Sequence, residues 1–143
     1  MSCKAPYTDV TVSGTRILSH SEAGKWWYPK NADCELTITF EEGQNVLIQF
    51  EFFEFENVGW DKKCDDYLAV YDGRGADRKQ IGSRLCGKKL PGPVQSTGNS
   101  MTLVFHSDEW SQRDGFKLKA YGIGKSKPME KYKKAKYNRN ILD

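Results

Sequence analysis

The apolar residues of this chain recur at every second position, in runs too short for a helix and separated by turn-forming clusters, and that period confines it to β-structure. Leu36, Ile38 and Phe40 alternate with Thr37 and Thr39; Met101, Leu103 and Phe105 alternate with Thr102 and Val104; Phe116, Leu118 and Ala120 alternate with Lys117 and Lys119. Side chains two residues apart on a strand share a face, so each run predicts a strand with one face turned to a core. No segment of the first 122 residues carries a helical period. Glu41-Glu42-Gly43-Gln44-Asn45 predicts a turn. After it, Val46, Ile48, Phe50 and Phe52 are expected on one face of a strand, with Leu47, Phe53 and Phe55 on the other. Apolar groups on both faces make that strand central. A short strand from Tyr67 to Tyr71 ends at Asp72-Gly73-Arg74-Gly75, and Pro91-Gly92-Pro93 opens a loop. Several short strands punctuated in this way predict an all-β, antiparallel, jelly-roll-like β-sandwich.

A length of 143 residues suits one domain with room for a core. Four Trp, seven Tyr and seven Phe are too many for a disordered polymer. No apolar run approaches the roughly 20 residues that cross a bilayer. The start, Met1-Ser2-Cys3-Lys4, lacks the apolar stretch of a signal peptide, so a secreted form is expected to have lost its signal, with Met1 an expression start. The net charge of +3 is unevenly placed. Residues 125–143 hold seven Lys/Arg against two acids, which leaves −2 for residues 1–124. A slightly acidic folded part argues against a nucleic-acid-binding face. The expected organisation is a domain over residues 1–124 followed by a basic linker or tail over 125–143.

Cys3, Cys34, Cys64 and Cys86 form an even set with no Cys-x-x-Cys pair, and only His20 and His106 are available as histidine ligands. That pattern disfavours zinc and favours two disulfides, hence an oxidising, extracellular compartment. Three connectivities are possible and the sequence does not choose among them. Cys3–Cys34 with Cys64–Cys86 is favoured because each closes a local loop, stabilising by about 3–4 kcal/mol apiece in the chain-entropy description.

An ordered set of motifs then carries a family resemblance. It comprises the four cysteines, Tyr28-Pro29-Lys30-Asn31-Ala32-Asp33-Cys34, the strand Ile48 to Phe55 leading into Glu56, and Cys64-Asp65-Asp66-Tyr67-Leu68-Ala69-Val70-Tyr71-Asp72-Gly73. Ile81-Gly82-Ser83-Arg84-Leu85-Cys86-Gly87, Ser96-Thr97-Gly98-Asn99-Ser100-Met101, Phe105-His106-Ser107-Asp108 and Gly115-Phe116-Lys117-Leu118 follow in order. Over residues 3–122 the chain resembles the CUB domain, an extracellular β-sandwich module. The resemblance implies cysteines paired first to second and third to fourth. It also implies a calcium ion held by Glu56, Asp66 and Asp108 on loops at one end of the sandwich, and a protein ligand whose Lys or Arg docks against the same carboxylates.

Calcium takes several oxygen ligands, and acids on converging loops supply them. Glu54, Asp61 and Asp65 are further acids in the same stretch. Trp60 and Trp110, with Tyr67, flank the acids and are the partner-contact candidates. Trp26 and Trp27 are expected to include at least one ring packed over the sandwich edge; the sharper alternative makes them a stacking platform for a sugar. With the basic tail they define the second functional class, a carbohydrate- or glycosaminoglycan-binding domain. No metalloprotease, nucleophile-elbow or phosphate-loop motif is present, so a non-catalytic module is expected, standing alone or as part of a larger secreted protein such as a metalloprotease.

Overall fold

The computed structural model describes residues 9–124. Eight strands run β1 Thr15–Leu18, β2 Asp33–Thr39, β3 Gln44–Glu54, β4 Tyr67–Asp72, β5 Lys79–Gln80, β6 Val94–Gln95, β7 Ser100–His106 and β8 Gly115–Gly124, with a single 3-10 turn at Gly75–Asp77. They form two four-stranded sheets, in the orders β1-β8-β3-β6 and β2-β7-β4-β5, and every strand pairing is antiparallel. The all-β sandwich expected from the alternating pattern is the observed architecture. The basic segment 125–143 and Cys3 lie outside the described residues.

The period-two pattern accounts for the packing. Leu36 sits opposite Leu103 and Ile38 opposite Met101 in one sheet; Ile48 faces Ala120 and Phe50 faces Leu118 in the other. These rows are buried and interleave as one core, with Tyr28, Phe55, Phe105 and Phe116 as its largest fully enclosed rings. Each such ring stabilises by about 1.5–3 kcal/mol relative to exposure.

Strand β3 departs from the expectation in an instructive way. It is interior to its sheet, but its two apolar faces do not arise from burial on both sides. The β3–β8 register shifts between Phe50 and Phe52, leaving Glu51 as an extra residue in a β-bulge. The bulge resets the phase, so Val46, Ile48 and Phe50 point inward before it and Phe53 and Phe55 point inward after it. Phe52 is thereby turned off the core face, against the Lys117 ammonium, 6.0 Å from its ring centroid.

Antiparallel pairing fixes which loops meet. Asp33 at the start of β2 and Tyr67 at the start of β4 both pair with His106 at the end of β7, and Glu54 at the end of β3 pairs with Gly115 at the start of β8. The β1–β2, β3–β4 and β7–β8 loops therefore all emerge at one end. Backbone hydrogen bonds interlock them: Gly24 N–H donates to Asp114 O (2.9 Å), Tyr28 N–H to Arg113 O (2.8 Å) and Asn31 N–H to Asp108 O (2.9 Å).

Candidate functional site

At that end three carboxylates converge. Glu56 follows β3, Asp66 immediately precedes β4, and Asp108 stands two residues beyond β7; one oxygen from each lies within 4.8 Å of the others. These are the three acids that the family resemblance implies. Glu54 instead accepts a long hydrogen bond from the Asp114 amide (3.4 Å), and Asp61 accepts from the Lys63 amide (3.1 Å).

Asp66 is fully buried. Its Oδ1 accepts from the Asp108 N–H (2.8 Å) and its Oδ2 from the Tyr28 hydroxyl (2.6 Å). Burial nevertheless dominates and pushes its carboxyl up to about 6, the hydroxyl and amide donors only partly offsetting it. Desolvation also raises Glu56, with the charges of Asp108 and Asp65 adding to the shift. Glu56 Oε1 is buried with no hydrogen-bond partner among the described residues. Such an acceptor costs about 1–3 kcal/mol unless a cation meets it. Three hard oxygen donors, one of them orphaned, fit a calcium-sized divalent ion and suit no soft metal.

Tyr28 was visible in the sequence only as part of a motif. Burial raises its phenol well above the ordinary value, so it stays a protonated donor that aims Asp66. His20 is a second positioning group: buried, with its two ring nitrogens on Ser19 Oγ (2.7 Å) and the Trp26 carbonyl (2.6 Å), it holds the β1–β2 loop. Burial lowers its affinity for a second proton. Tyr28 and Asp66 are 38 positions apart and leave no spacing signal, and the His20 contacts to Ser19 and the Trp26 carbonyl, though local, have no motif of their own, so neither role is legible beforehand.

The aromatic candidates divide. Trp110 is 67% exposed and its amide donates to Asp108 Oδ1 (2.8 Å), which puts it directly beside the acids. Trp60 is 98% exposed on the β3–β4 loop, with no ring contact among the described residues. Tyr67 is half-buried, stacked against His106 and beneath the Arg84 guanidinium, 4.1 Å from its centroid. Trp26 and Trp27 are 66% and 57% exposed and stack on one another, 5.9 Å between centroids; neither is packed away over the edge. Cys64 and Cys86 form a disulfide that ties the β3–β4 loop to the segment before β6. Cys34 is buried in β2.

The geometry has counterparts. Inactive serine protease PAMR1 of Pongo abelii is 42% identical over 90 residues, 62% of this chain. Tolloid-like protein 1 of Mus musculus is 34% identical over 124 residues, 79% of this chain. The matched stretch amounts to 12% of the length of each of those proteins. Among solved structures, the MASP-1 CUB2 domain bound to Ca2+ superposes with a TM-score of 0.67 at 31% identity, covering 78% of this chain and 95% of that one. The family model of the CUB domain matches residues 8–120, a span that holds all three acids and all of both sheets except the last four residues of β8. By sequence and by fold, the chain belongs to the CUB domain family.

Proposed function

We propose that this chain is an extracellular, calcium-dependent protein-binding module in which Glu56, Asp66 and Asp108 hold the ion and Trp60, Trp110 and Tyr67 contribute to the partner surface. A CUB domain is a non-catalytic module, so its function is recognition. The observation that carries the reading is the convergence of three carboxylates with one buried oxygen lacking any hydrogen-bond partner. Calcium supplies positive charge at that point, and the three acids hold their loops fixed before a partner arrives. A partner's Lys or Arg is the matching group, since a charge-assisted hydrogen bond to a carboxylate is among the stronger polar contacts. The Cys64–Cys86 disulfide supports an oxidising compartment. Among the described residues no helix is long and apolar enough to cross a membrane.

Calorimetric titration of calcium into the oxidised domain tests the metal site. One saturable site with a dissociation constant on the order of 0.1–1 mM, lost in Asp108→Asn and Glu56→Gln, is the expected result; absence of heat in the wild type refutes it. A lysine-containing peptide followed by NMR tests the rest, with shifts near Asp108 that vanish on chelation.

A second reading draws on the exposed Trp26–Trp27 stack. Trp27 borders a cavity of ≈580 Å³ whose lining includes Glu22, Asn31 and Asp33, an indole beside amide and carboxylate groups that suits a sugar ring. Glycan binding that survives chelator and falls in Trp27→Ala distinguishes it from the first reading.

A further inference from the structure

Beside the acidic cluster, on the other side of Cys64, lies an open groove of ≈680 Å³ whose chemistry is opposite in sign. Its cations are Lys62, Lys63, Arg84 and Lys89, and no acid is among its lining residues. Of the acids nearest in sequence, Asp61 is engaged by the Lys63 amide and Asp65 acts on Glu56, in the carboxylate cluster. None of the four cations is in an ion pair among the described residues, where the pairs are Arg16–Glu51 and Arg78–Glu35. Arg84 is oriented by its stacking over Tyr67, and both cysteines of the Cys64–Cys86 bridge line the groove.

The groove also has an apolar lip. Val58 and Leu90 are half-exposed, and Pro91 lies next to Leu90. Apart from the four tryptophans and Val12, these two are the exposed large apolar side chains among the described residues. Unpaired cations around exposed aliphatic groups select a ligand with both characters. A sulfated sugar offers the charge but no aliphatic side chain to cover Leu90, whereas a peptide offers both.

We infer that this groove is a second recognition subsite, for a protein segment in which acidic side chains flank an apolar one. The apolar residue covers Val58 and Leu90, while carboxylates meet Lys63, Arg84 and Lys89. The inference rests on the proposed protein-binding role but not on the metal. With the carboxylate cluster a few residues away, it makes the recognition surface bipolar: a basic group of the partner at the acids and an acidic stretch beside Cys64–Cys86. Opposite charges at fixed separation impose direction on the bound partner and reject segments of the reversed polarity.

The test is NMR titration of the isotope-labelled oxidised domain with a pentapeptide, leucine flanked on each side by two acidic residues, in calcium and again in chelator. Amides of Lys63, Arg84, Leu85, Lys89 and Leu90 are expected to shift in both conditions, and an analogue with amides in place of the carboxylates is expected to leave them still. The double variant Lys63→Gln, Lys89→Gln is expected to weaken binding about tenfold, from two exposed charge pairs, and Lys63→Arg, Lys89→Arg to retain it. All these side chains are exposed, so the variants keep the fold, which the dispersion of the spectrum checks. A heparin-derived tetrasaccharide is the competing probe. If both ligands bind, Leu90→Ser decides: selective loss of peptide affinity supports the inference, and indifference of the peptide overturns it. Absence of peptide-induced shifts, shifts elsewhere, or binding of the tetrasaccharide alone also overturns it. Failure of calcium binding with the peptide result intact would remove the metal and leave the groove.

Discussion

Asp66 shows how one buried carboxylate is held between two uses. Its position, immediately before a strand and next to Cys64-Asp65, is legible in the motif, and so are Glu56 and Asp108 at the ends of their own strands. The hydroxyl that aims it is not, because Tyr28 reaches Asp66 only after the β1–β2 loop has folded back. Removing that donor in Tyr28→Phe leaves a buried charge with one partner fewer, a loss of about 1.5–3 kcal/mol for a hydrogen bond to an ionised group. Urea unfolding in chelator measures it, and a change under about 0.5 kcal/mol would assign Tyr28 a packing role only. The raised Asp66 carboxyl sets a pH dependence whose sign follows from proton binding. Its ordinary value is 3.8, and in the fold without metal it is pushed up to about 6. Between those values the folded state binds more protons than the unfolded state, so this group's contribution to stability falls as pH rises through the window. Unfolding in chelator at about pH 4.5 and about pH 6.5 is expected to show that decline in the wild type and a flatter profile in Asp66→Asn; equal slopes would contradict it. With calcium present the preference reverses, because the ion needs the ionised form and its affinity drops as pH falls below about 6.

Strand β3 is where sequence reasoning and fold part, and the reason is a single residue. The alternation of Val46, Ile48 and Phe50 is real, and continued without interruption it puts Phe52 inside and Phe53 and Phe55 outside. A bulge has no composition signature strong enough to be seen in Gln49-Phe50-Glu51-Phe52. Yet it decides whether the rings of Phe53 and Phe55, stacked at 4.8 Å, lie in the core or in water. It also sets how the chain enters the Glu56 position, since Glu56 is the next residue after Phe55. Deleting Glu51 is therefore expected to remove the bulge and leave Phe50, Phe53 and Phe55 on one face in unbroken alternation, so that the shortened strand keeps its β8 partners and both rings stay in the core. Amide dispersion retained in the NMR spectrum is the readout. The side chain itself matters little: Glu51 pairs with Arg16 on the surface, and Glu51→Gln is expected to change stability by under about 1 kcal/mol. If the deletion unfolds the domain, the bulge is not the device described here.

The four tryptophans of the chain all stand on the β1–β2, β3–β4 and β7–β8 loops, at the end where the acids meet, and all are more than half exposed. A soluble domain rarely leaves its most costly apolar groups on one end without use, and aromatic rings are the side chains over-represented at interface centres. Strand pairing explains why residues as distant as Trp26 and Trp110 come together, because β1, β3 and β7 all run toward this end. Those pairings are long-range, and turn signals locate loops without stating which loops will be neighbours. What binds the three loops is a backbone hydrogen-bond network plus, in the proposed function, one ion. Calcium binding to the folded state alone then adds RT ln(1 + [L]/Kd) to the unfolding free energy, about 2.7 kcal/mol at one hundred times the dissociation constant. Since unfolding scatters Glu56, Asp66 and Asp108, the whole of that increment is expected to appear in a calcium-dependent rise of the unfolding midpoint, and to be lost on chelation. Asp108→Asn is expected to remove the rise while leaving the midpoint in chelator near or above that of the wild type, because relieving mutual repulsion among three carboxylates with oxygens within 4.8 Å offsets the weaker bond that a neutral Oδ1 accepts from the Trp110 N–H. Thermal unfolding across a calcium series checks both halves. A midpoint indifferent to calcium in the wild type would leave this end a tryptophan-rimmed acidic surface without an ion to organise it.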